Sequence, residues 1–193
     1  MTEIINIYHD NYKFKGTMER REAHQNEEWH ETFQCIFIND EYIFLQKRSL
    51  VVRDYKGMLD VTVGGHLLST EIVEDGVREI EEEMGIKVTF DRLNFLCTIP
   101  EELITLSIVD KEFINVYTLE ISEEERKKIN HDTEVDQLIK VNKMDFYNLC
   151  LDYSKICVGY QISNDEEFIF TKDDFLPYSR AYFACLGVLL NKI

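Results

Sequence analysis

Residues 72–85 read IVEDGVREIEEEMG, and this stretch decides the fold. At about 100° per residue, Val73, Val77, Ile80 and Met84 fall within one narrow arc, the apolar stripe of an amphipathic helix. Asp75, Glu79, Glu82 and Glu83 fall within a second arc, and Gly85 supplies the stop. Like charges at this spacing repel by roughly 0.2–0.5 kcal/mol per pair. A solvated helix ordinarily intersperses lysine on such a face, yet the only cation is Arg78, off to the side. Two readings fit the spacing. One is a solvated face of an acidic protein, where Glu74 and Glu81 belong in either case. The other is a divalent-cation site whose clustered oxygens suit Mg²⁺ or Mn²⁺.

The flanks of the helix alternate between strand and helix patterns. Upstream, residues 59–63 read as a strand ending at Gly64-Gly65. Residues 31–38 and 42–46, separated by Asn39-Asp40-Glu41, read as a hairpin. Residues 4–9 read as a short strand and 16–28 as polar loop or frayed helix. Downstream, strands are expected at 87–90, 95–98, 104–108, 113–120 and 135–141. A charged helix is expected at 122–130 and another helix at 143–153. A hairpin is expected within 156–171 and a last helix at 178–190. That last helix carries Tyr182, Phe183, Leu186, Leu189 and Leu190, which cap the sheet or pair two copies as a homodimer. A mixed sheet with helices packed on it follows, an α/β architecture. No repeat or linker divides the chain. It reads as a single domain over 1–193, with a core at about 4–141 and a C-terminal extension, 142–193, packed on that core.

Composition narrows the function. The 193 residues include 37 acidic and 21 basic side chains, for a net charge of −16. With 45% hydrophobic residues the chain can bury a core, which excludes disorder as the main state. No stretch approaches the roughly 18 apolar residues of a membrane span. The first fifteen residues lack a basic segment followed by an apolar one, so no secretory leader is expected and the cytoplasm is the expected compartment. Five cysteines without a C-x-x-C pair fit reduced, mostly buried thiols. The charge disfavours bare nucleic acid, whose phosphates would be repelled. It is compatible with a small phosphorylated substrate when a cation lies between carboxylate and phosphate.

Gly64-Gly65-His66, then Glu71, then Arg78-Glu79-Ile80-Glu81-Glu82-Glu83-Met84-Gly85-Ile86 resembles the Nudix box. The second half matches at every specified position. In the first half, counting from Gly64 puts Thr70 at the first glutamate, whereas counting from Gly65 puts Glu71 there with one residue missing before Arg78. We take Glu71 as the equivalent, with a rewound helix start. Residues 44–49 and 56–66 are similar to the Nudix branch related to isopentenyl-diphosphate isomerase, as are Ala23-His24 and Trp29-His30-Glu31. The resemblance covers about residues 4–141. It implies an α/β/α sandwich with a mixed central sheet, and metal-dependent chemistry on a diphosphate.

The resemblance further implies that Glu79, Glu82 and Glu83 hold Mg²⁺ or Mn²⁺, with Glu71 and Arg78 organising the loop. Asp110 and Glu112 share a strand face, and Glu112 is the better candidate for a further ligand or base. The catalytic set is therefore Glu79, Glu82 and Glu112. Arg48, Lys47 and the backbone of Gly64 and Gly65 are candidates for substrate phosphate. His24, His30 and His66 lie where the isomerase places histidines that hold a metal with two acidic residues. The isomerase also needs a cysteine where Gly64 stands, and it lacks the complete half-box. Hydrolysis of a phosphoanhydride in a small diphosphate-linked molecule is the leading expectation. Isomerase-like chemistry and a non-catalytic metal- and phosphate-binding module are the alternatives.

Overall fold

The segment WHETFQCIFI forms β3 (Trp29–Ile38), which is buried on both faces from Thr32 onward. A near-continuous apolar run of this kind belongs in the middle of a sheet covered on both sides. The computed structural model describes residues 3–105 and 109–193. In it β8 (Val109–Glu120) runs parallel to β3, from Trp29 opposite Lys111 to Ile38 opposite Glu120. The long β7 (Asn94–Ile104) pairs antiparallel with β8. On its other side β3 meets β6 (Val63–His66) and the end of β1 (Ile4–Tyr8), whose hairpin partner is β2 (Phe14–Glu19).

The expected hairpin of residues 31–38 and 42–46 is a correction. Only Ile38 and Ile43 pair between β3 and β4 (Tyr42–Arg48). Beyond that point β4 turns away to pair with β9 (Val135–Asn142) and β5 (Leu59–Val61). Twist favours this, because both strands are buried and each gains a full-length partner elsewhere. β10 (Cys157–Gln161) and β11 (Glu167–Phe170) then extend the sheet past β9.

Four more boundaries differ from expectation. Of the two readings of residues 16–28, the helix forms as α1 (Arg20–Gln25), but it is preceded by the end of β2, which was not expected. No strand forms at 87–90, where a 3₁₀ turn begins at Phe90. The strands expected at 95–98 and 104–108 are one strand, β7, which runs through Pro100; residues 106–108 lie outside the described part. The charged helix shortens to α3 (Glu123–Arg126), capped by Ser122. The remaining tail helices are α4 (Lys143–Leu151) and α5 (Arg180–Leu190).

The carboxylate helix is a 3₁₀ turn, Val73–Val77, followed by α2 (Arg78–Met84). Gly85 ends it at φ 69°, a conformation that needs glycine, and a Cβ there would lie 2.8 Å from the Asn130 carbonyl. α2 buries Ile80 and Met84 against Phe33, Cys35, Phe37 and Leu119 on one face of the sheet. The other face carries Ile36, Ile114 and Val116, covered by Tyr182, Phe183, Leu186 and Leu190 of α5 and Phe146 and Leu149 of α4. The layers are thus helix, mixed sheet, helix. Among the described residues no helix is long and apolar enough to cross a membrane.

The start of α5 is pinned to β7. Ser179 caps the helix by accepting from the Tyr182 amide, and it donates its own amide and hydroxyl to Glu101 at 2.5 and 2.8 Å. Glu101 is otherwise buried. Ser179→Ala removes a cap and strips a buried carboxylate of one donor. We expect it to lower the unfolding free energy by about 2 kcal/mol in urea denaturation, more than an exposed cap would give.

Candidate active site

Arg78, the first residue of α2, ties the region together. Its Nε and Nη2 donate to the two oxygens of Glu71 at 2.6 and 3.1 Å, a fork-to-fork pair. Nη2 also donates to the His66 carbonyl at 3.0 Å, and Nη1 to Glu79 and Glu82 at 2.7 and 3.1 Å. Glu71 accepts in addition from the Leu68 amide at 2.7 Å. One guanidinium therefore fixes the loop after β6, the strand end and the helix start. The rewound start expected from the sequence is visible as the 3₁₀ turn between Glu71 and Arg78.

The helix carboxylates are not equivalent. Glu82 is 60% exposed. Glu79 folds back over β6, where a Cβ on Gly65 would lie 2.1 Å from its Oε1. Only glycine at 65 leaves room for that carboxylate. Glu83 turns beneath the same strand. It accepts from the Gly64 amide at 3.3 Å and from Gln46 Nε2 at 3.0 Å. The sequence pattern expects both Glu82 and Glu83 on an open arc, and only Glu82 is fully so. Asp75 leaves the arc altogether: it accepts from the Ile72 amide at 2.9 Å and caps the 3₁₀ turn.

Burial governs the protonation of these groups. It pushes Glu79 up to about 7, outweighing the pull of Arg78, with Glu82 adding repulsion. Glu83 is driven well above the usual carboxylate range by burial and then by the charge of Glu79. Asp60, the middle residue of β5, is raised by burial although Tyr178 and the Val61 amide donate to it at 2.8 and 2.7 Å. Glu112 is raised well up by burial, then by Asp110 and Asp60. Asp60 thus acts on both Glu83 and Glu112, linking the helix carboxylates to those of β8.

Four elements bring a second group together. His24 comes from α1, His30 from β3, His66 from β6 and Asp110 from β8. One ligand atom from each lies within 4.8 Å of all the others, the one such group of three or more His, Cys, Asp or Glu among the described residues. His30 Nδ1 lies 3.0 Å from the Glu28 carbonyl, which can only accept, so Nδ1 carries the proton. His30 Nε2 faces Asp110 Oδ1 at 3.3 Å, and both atoms are buried without a hydrogen-bond partner. Although burial opposes it, His30 and His24 hold Asp110 below the usual carboxylate range. His24 Nε2 stands 3.1 Å from His66 Nε2 and 3.6 Å from Asp110 Oδ1. Burial lowers both His24 and His66, keeping them neutral. Neutral imidazoles converging on a carboxylate are a donor set for a borderline divalent ion.

The other candidates divide. Glu112 lies beside Asp110, where Thr32 Oγ1 donates to it at 3.3 Å, so it belongs with the histidines rather than with α2. Arg48 sits at a β-bulge that ends the regular pairing of β4 with β9. Lys47 is drawn away to Asp136 at 3.2 Å and over the Phe168 ring. Asp60, Gln46, Gln34, Tyr178 and Tyr182 were not expected. Tyr182 donates to Gln34 Oε1 at 2.6 Å, and Gln34 donates to Tyr178, which donates to Asp60. No spacing signal announces these residues, since Gln34, Asp60, Tyr178 and Tyr182 meet across more than a hundred positions and Gln46 reaches Glu83 across 37. The polar Thr32 and Gln34 within an otherwise apolar strand are the one hint.

No family model matches the chain. It is 30% identical over 194 residues to a protein of Clostridium acetobutylicum described as an uncharacterised Nudix hydrolase, covering 94% of this chain and 93% of that one. Its fold is similar to that of DR0079 from Deinococcus radiodurans, with a TM-score of 0.55, 14% identity and 98% of both chains covered. A MutT/nudix family protein from Enterococcus faecalis also gives a TM-score of 0.55 at 14% identity, over 83% of this chain and 62% of that one.

The raised Glu79 makes stability depend on pH. Without metal the folded state keeps a proton that the unfolded chain releases near 4.5. The contribution of this group is therefore fully favourable below that pH, falls as pH rises to about 7 and is flat above. The span is on the order of 3 kcal/mol at most. Urea unfolding in chelator across this range should show Glu79→Gln with a shallower decline than the unsubstituted protein.

Proposed function

Because this chain belongs to the Nudix hydrolase family, we propose that it cleaves the phosphoanhydride of a small diphosphate-linked molecule with Mg²⁺ or Mn²⁺. The observation that carries this reading is the Arg78 fork, which seats Glu71, Glu79 and Glu82 around the backbone of Gly64–His66. The residues fit a divalent ion by charge. Glu79, Glu83 and Asp60 are held off water and all are pushed toward protonation, which a cation would reverse. A hard divalent ion there would neutralise the phosphates and acidify the attacking water.

The chain's own groups divide the remaining work. Glu79 and Glu83 hold the cation, and Glu82, the carboxylate open to solvent, takes the proton of the water. Arg48 and the backbone of Gly64 and Gly65 receive substrate phosphate. Lys47, paired with Asp136 in the ligand-free chain, is the second cation within the phosphate-binding set. His24, His30, His66 and Asp110, with Glu112 beside them, hold a second ion. Their nitrogen-rich set favours a borderline metal over Mg²⁺. The domain is the whole of 1–193, with the core at about 4–141 carrying the site and 142–193 closing it from the far face. The substrate is a nucleoside diphosphate derivative or similar small molecule, and the compartment is the cytoplasm.

A screen of nucleotide sugars, dinucleoside polyphosphates, NADH and prenyl diphosphates, reading released phosphate or monophosphate with Mg²⁺ and Mn²⁺, tests this directly. Glu82→Gln and Glu83→Gln should each lower kcat by at least about 100-fold, given that even outer-shell changes at metal sites cost 10–100-fold. Circular dichroism should remain that of the parent. Full turnover in either variant, or no hydrolysis by the parent, would reject the assignment.

The histidine site is tested by metal analysis. Protein dialysed against Mn²⁺ or Zn²⁺ and then desalted should retain about one ion that His24→Gln and His66→Gln lose. Unchanged metal content in both variants would remove the second site.

A further inference from the structure

Residues 49–58 join β4 to β5 and contain neither helix nor strand. This loop folds back on the strand it leaves. The Arg48 amide donates to the Met58 carbonyl at 2.9 Å, and Arg48 Nη2 donates to the Asp54 carbonyl at 3.4 Å. Between these ties stands Tyr55 with φ 55°, a left-handed conformation that side chains other than glycine rarely adopt. Such strain persists only where the surroundings enforce it.

The Tyr55 carbonyl accepts from the Met58 amide at 3.4 Å, but the side-chain hydroxyl gains no hydrogen bond. An exposed loop can place a tyrosine hydroxyl in water at no cost, yet the Tyr55 ring packs against the core and its hydroxyl is buried without a partner. The Nε of Arg48 is likewise buried without one. Among the described residues five buried side-chain polar atoms lack a partner. His30 Nε2, Asp110 Oδ1, Arg48 Nε and Tyr55 OH are four of them. The charges of Asp110, Glu112 and Arg48 all act on the Tyr55 hydroxyl, and the residue before it, Asp54, is held to Arg48 through its carbonyl. Burial first, and those two carboxylates next, hold the phenol protonated, so it is a donor and not an anionic ligand. The four atoms then sort by type. The histidine nitrogen and the carboxylate oxygen belong to the candidate metal donor set. The phenol and the guanidinium Nε are donors that call for an oxyanion.

We propose that Tyr55 is a substrate-binding residue, its hydroxyl and Arg48 Nε together receiving one non-bridging oxygen of the substrate's diphosphate beside the histidine site. The inference rests on the diphosphate reading above and adds a residue that the family resemblance does not supply. The strained backbone stands at this same residue, where positive φ persists only if the surroundings enforce it. A neutral donor suits this position. It binds a phosphate oxygen without forming a permanent ion pair with Asp110 or Glu112, which would occupy it.

Tyr55→Phe deletes the hydroxyl alone. Imidodiphosphate, which is not hydrolysed, serves as the probe, titrated calorimetrically in saturating Mg²⁺. The parent should bind it and Tyr55→Phe should bind it about tenfold or more weakly, as expected for losing a hydrogen bond to a charged group. The ligand-free variant should melt no lower than the parent, because the atom removed has no partner in the fold, and its metal content should be unchanged. Arg48→Lys keeps the charge but loses the Nε–H, and it should weaken binding similarly should the phenylalanine variant fail to fold. Parental affinity in either folded variant overturns the proposal. So does a lowered melting temperature for Tyr55→Phe with unchanged affinity, which would make the hydroxyl structural. A parent that binds no imidodiphosphate overturns the diphosphate reading itself, and this inference falls with it.

Discussion

The Arg78 guanidinium is the contact on which the site's geometry depends. It donates to Glu71, Glu79, Glu82 and the His66 carbonyl, four groups from a loop, a helix and a strand. Lysine could not replace it, because the fork matches the Glu71 carboxylate with two parallel bonds and still has donors for the rest. The pair with Glu71 lowers that carboxyl despite its partial burial, so the loop-organising carboxylate stays ionised while its neighbours on α2 are pushed the other way. Burial, which Arg78 offsets fully only at Glu71, thus divides the carboxylates into an ionised loop partner and a group pushed toward protonation.

The group pushed toward protonation sets a constraint of its own. Glu79, Glu83, Asp60 and Glu112 are all raised chiefly by burial, and Arg48 is the cation that acts on Asp60 among them. A chain selected for stability alone would not gather so many carboxylates on the flank of an apolar core. The arrangement is coherent when the missing positive charge comes from outside the chain. His24, His30, His66 and Asp110 gather a second donor set in another place. The two candidate sites differ in ligand type, oxygen against nitrogen.

Much of this was legible in the sequence, for reasons tied to range. The apolar stripe of α2, its glycine stop and the acidic arc are local, and period alone reveals Ile80 and Met84 as core and Glu82 as exposed. Glu71 emerged from counting residues, because a guanidinium partner must be a carboxylate and Thr70 is not one. What failed depended on long-range pairing. Residues 31–46 carry good hairpin chemistry, yet β3 finds ten paired positions with β8 and only one with β4. β2 and α1 are polar and amphipathic only weakly, so 16–28 looked like loop or frayed helix; their order comes from pairing with β1, and His24 is delivered by that order. Lys47 and Arg48 are adjacent and chemically alike, and only the bulge and the position of Asp136 separate their contacts.

The C-terminal extension shows how a segment without a motif enters the chemistry. α5 covers the face of the sheet opposite α2, and by burial alone it is a lid on the core. Yet its start is not apolar. Tyr178 and Tyr182 stack at 4.0 Å and pass a single file of donors, Tyr182 to Gln34 to Tyr178 to Asp60. Each group has its donor and acceptor roles fixed by the next, because the file ends on a carboxylate, which can only accept while ionised. Asp60 in turn adds negative charge at Glu83 on one side and Glu112 on the other. Replacing either tyrosine with an apolar ring would keep the packing but leave a buried amide or carboxylate short of a donor. The extension therefore holds the carboxylate that joins the two candidate metal sites, which a passive cap over the sheet would not require.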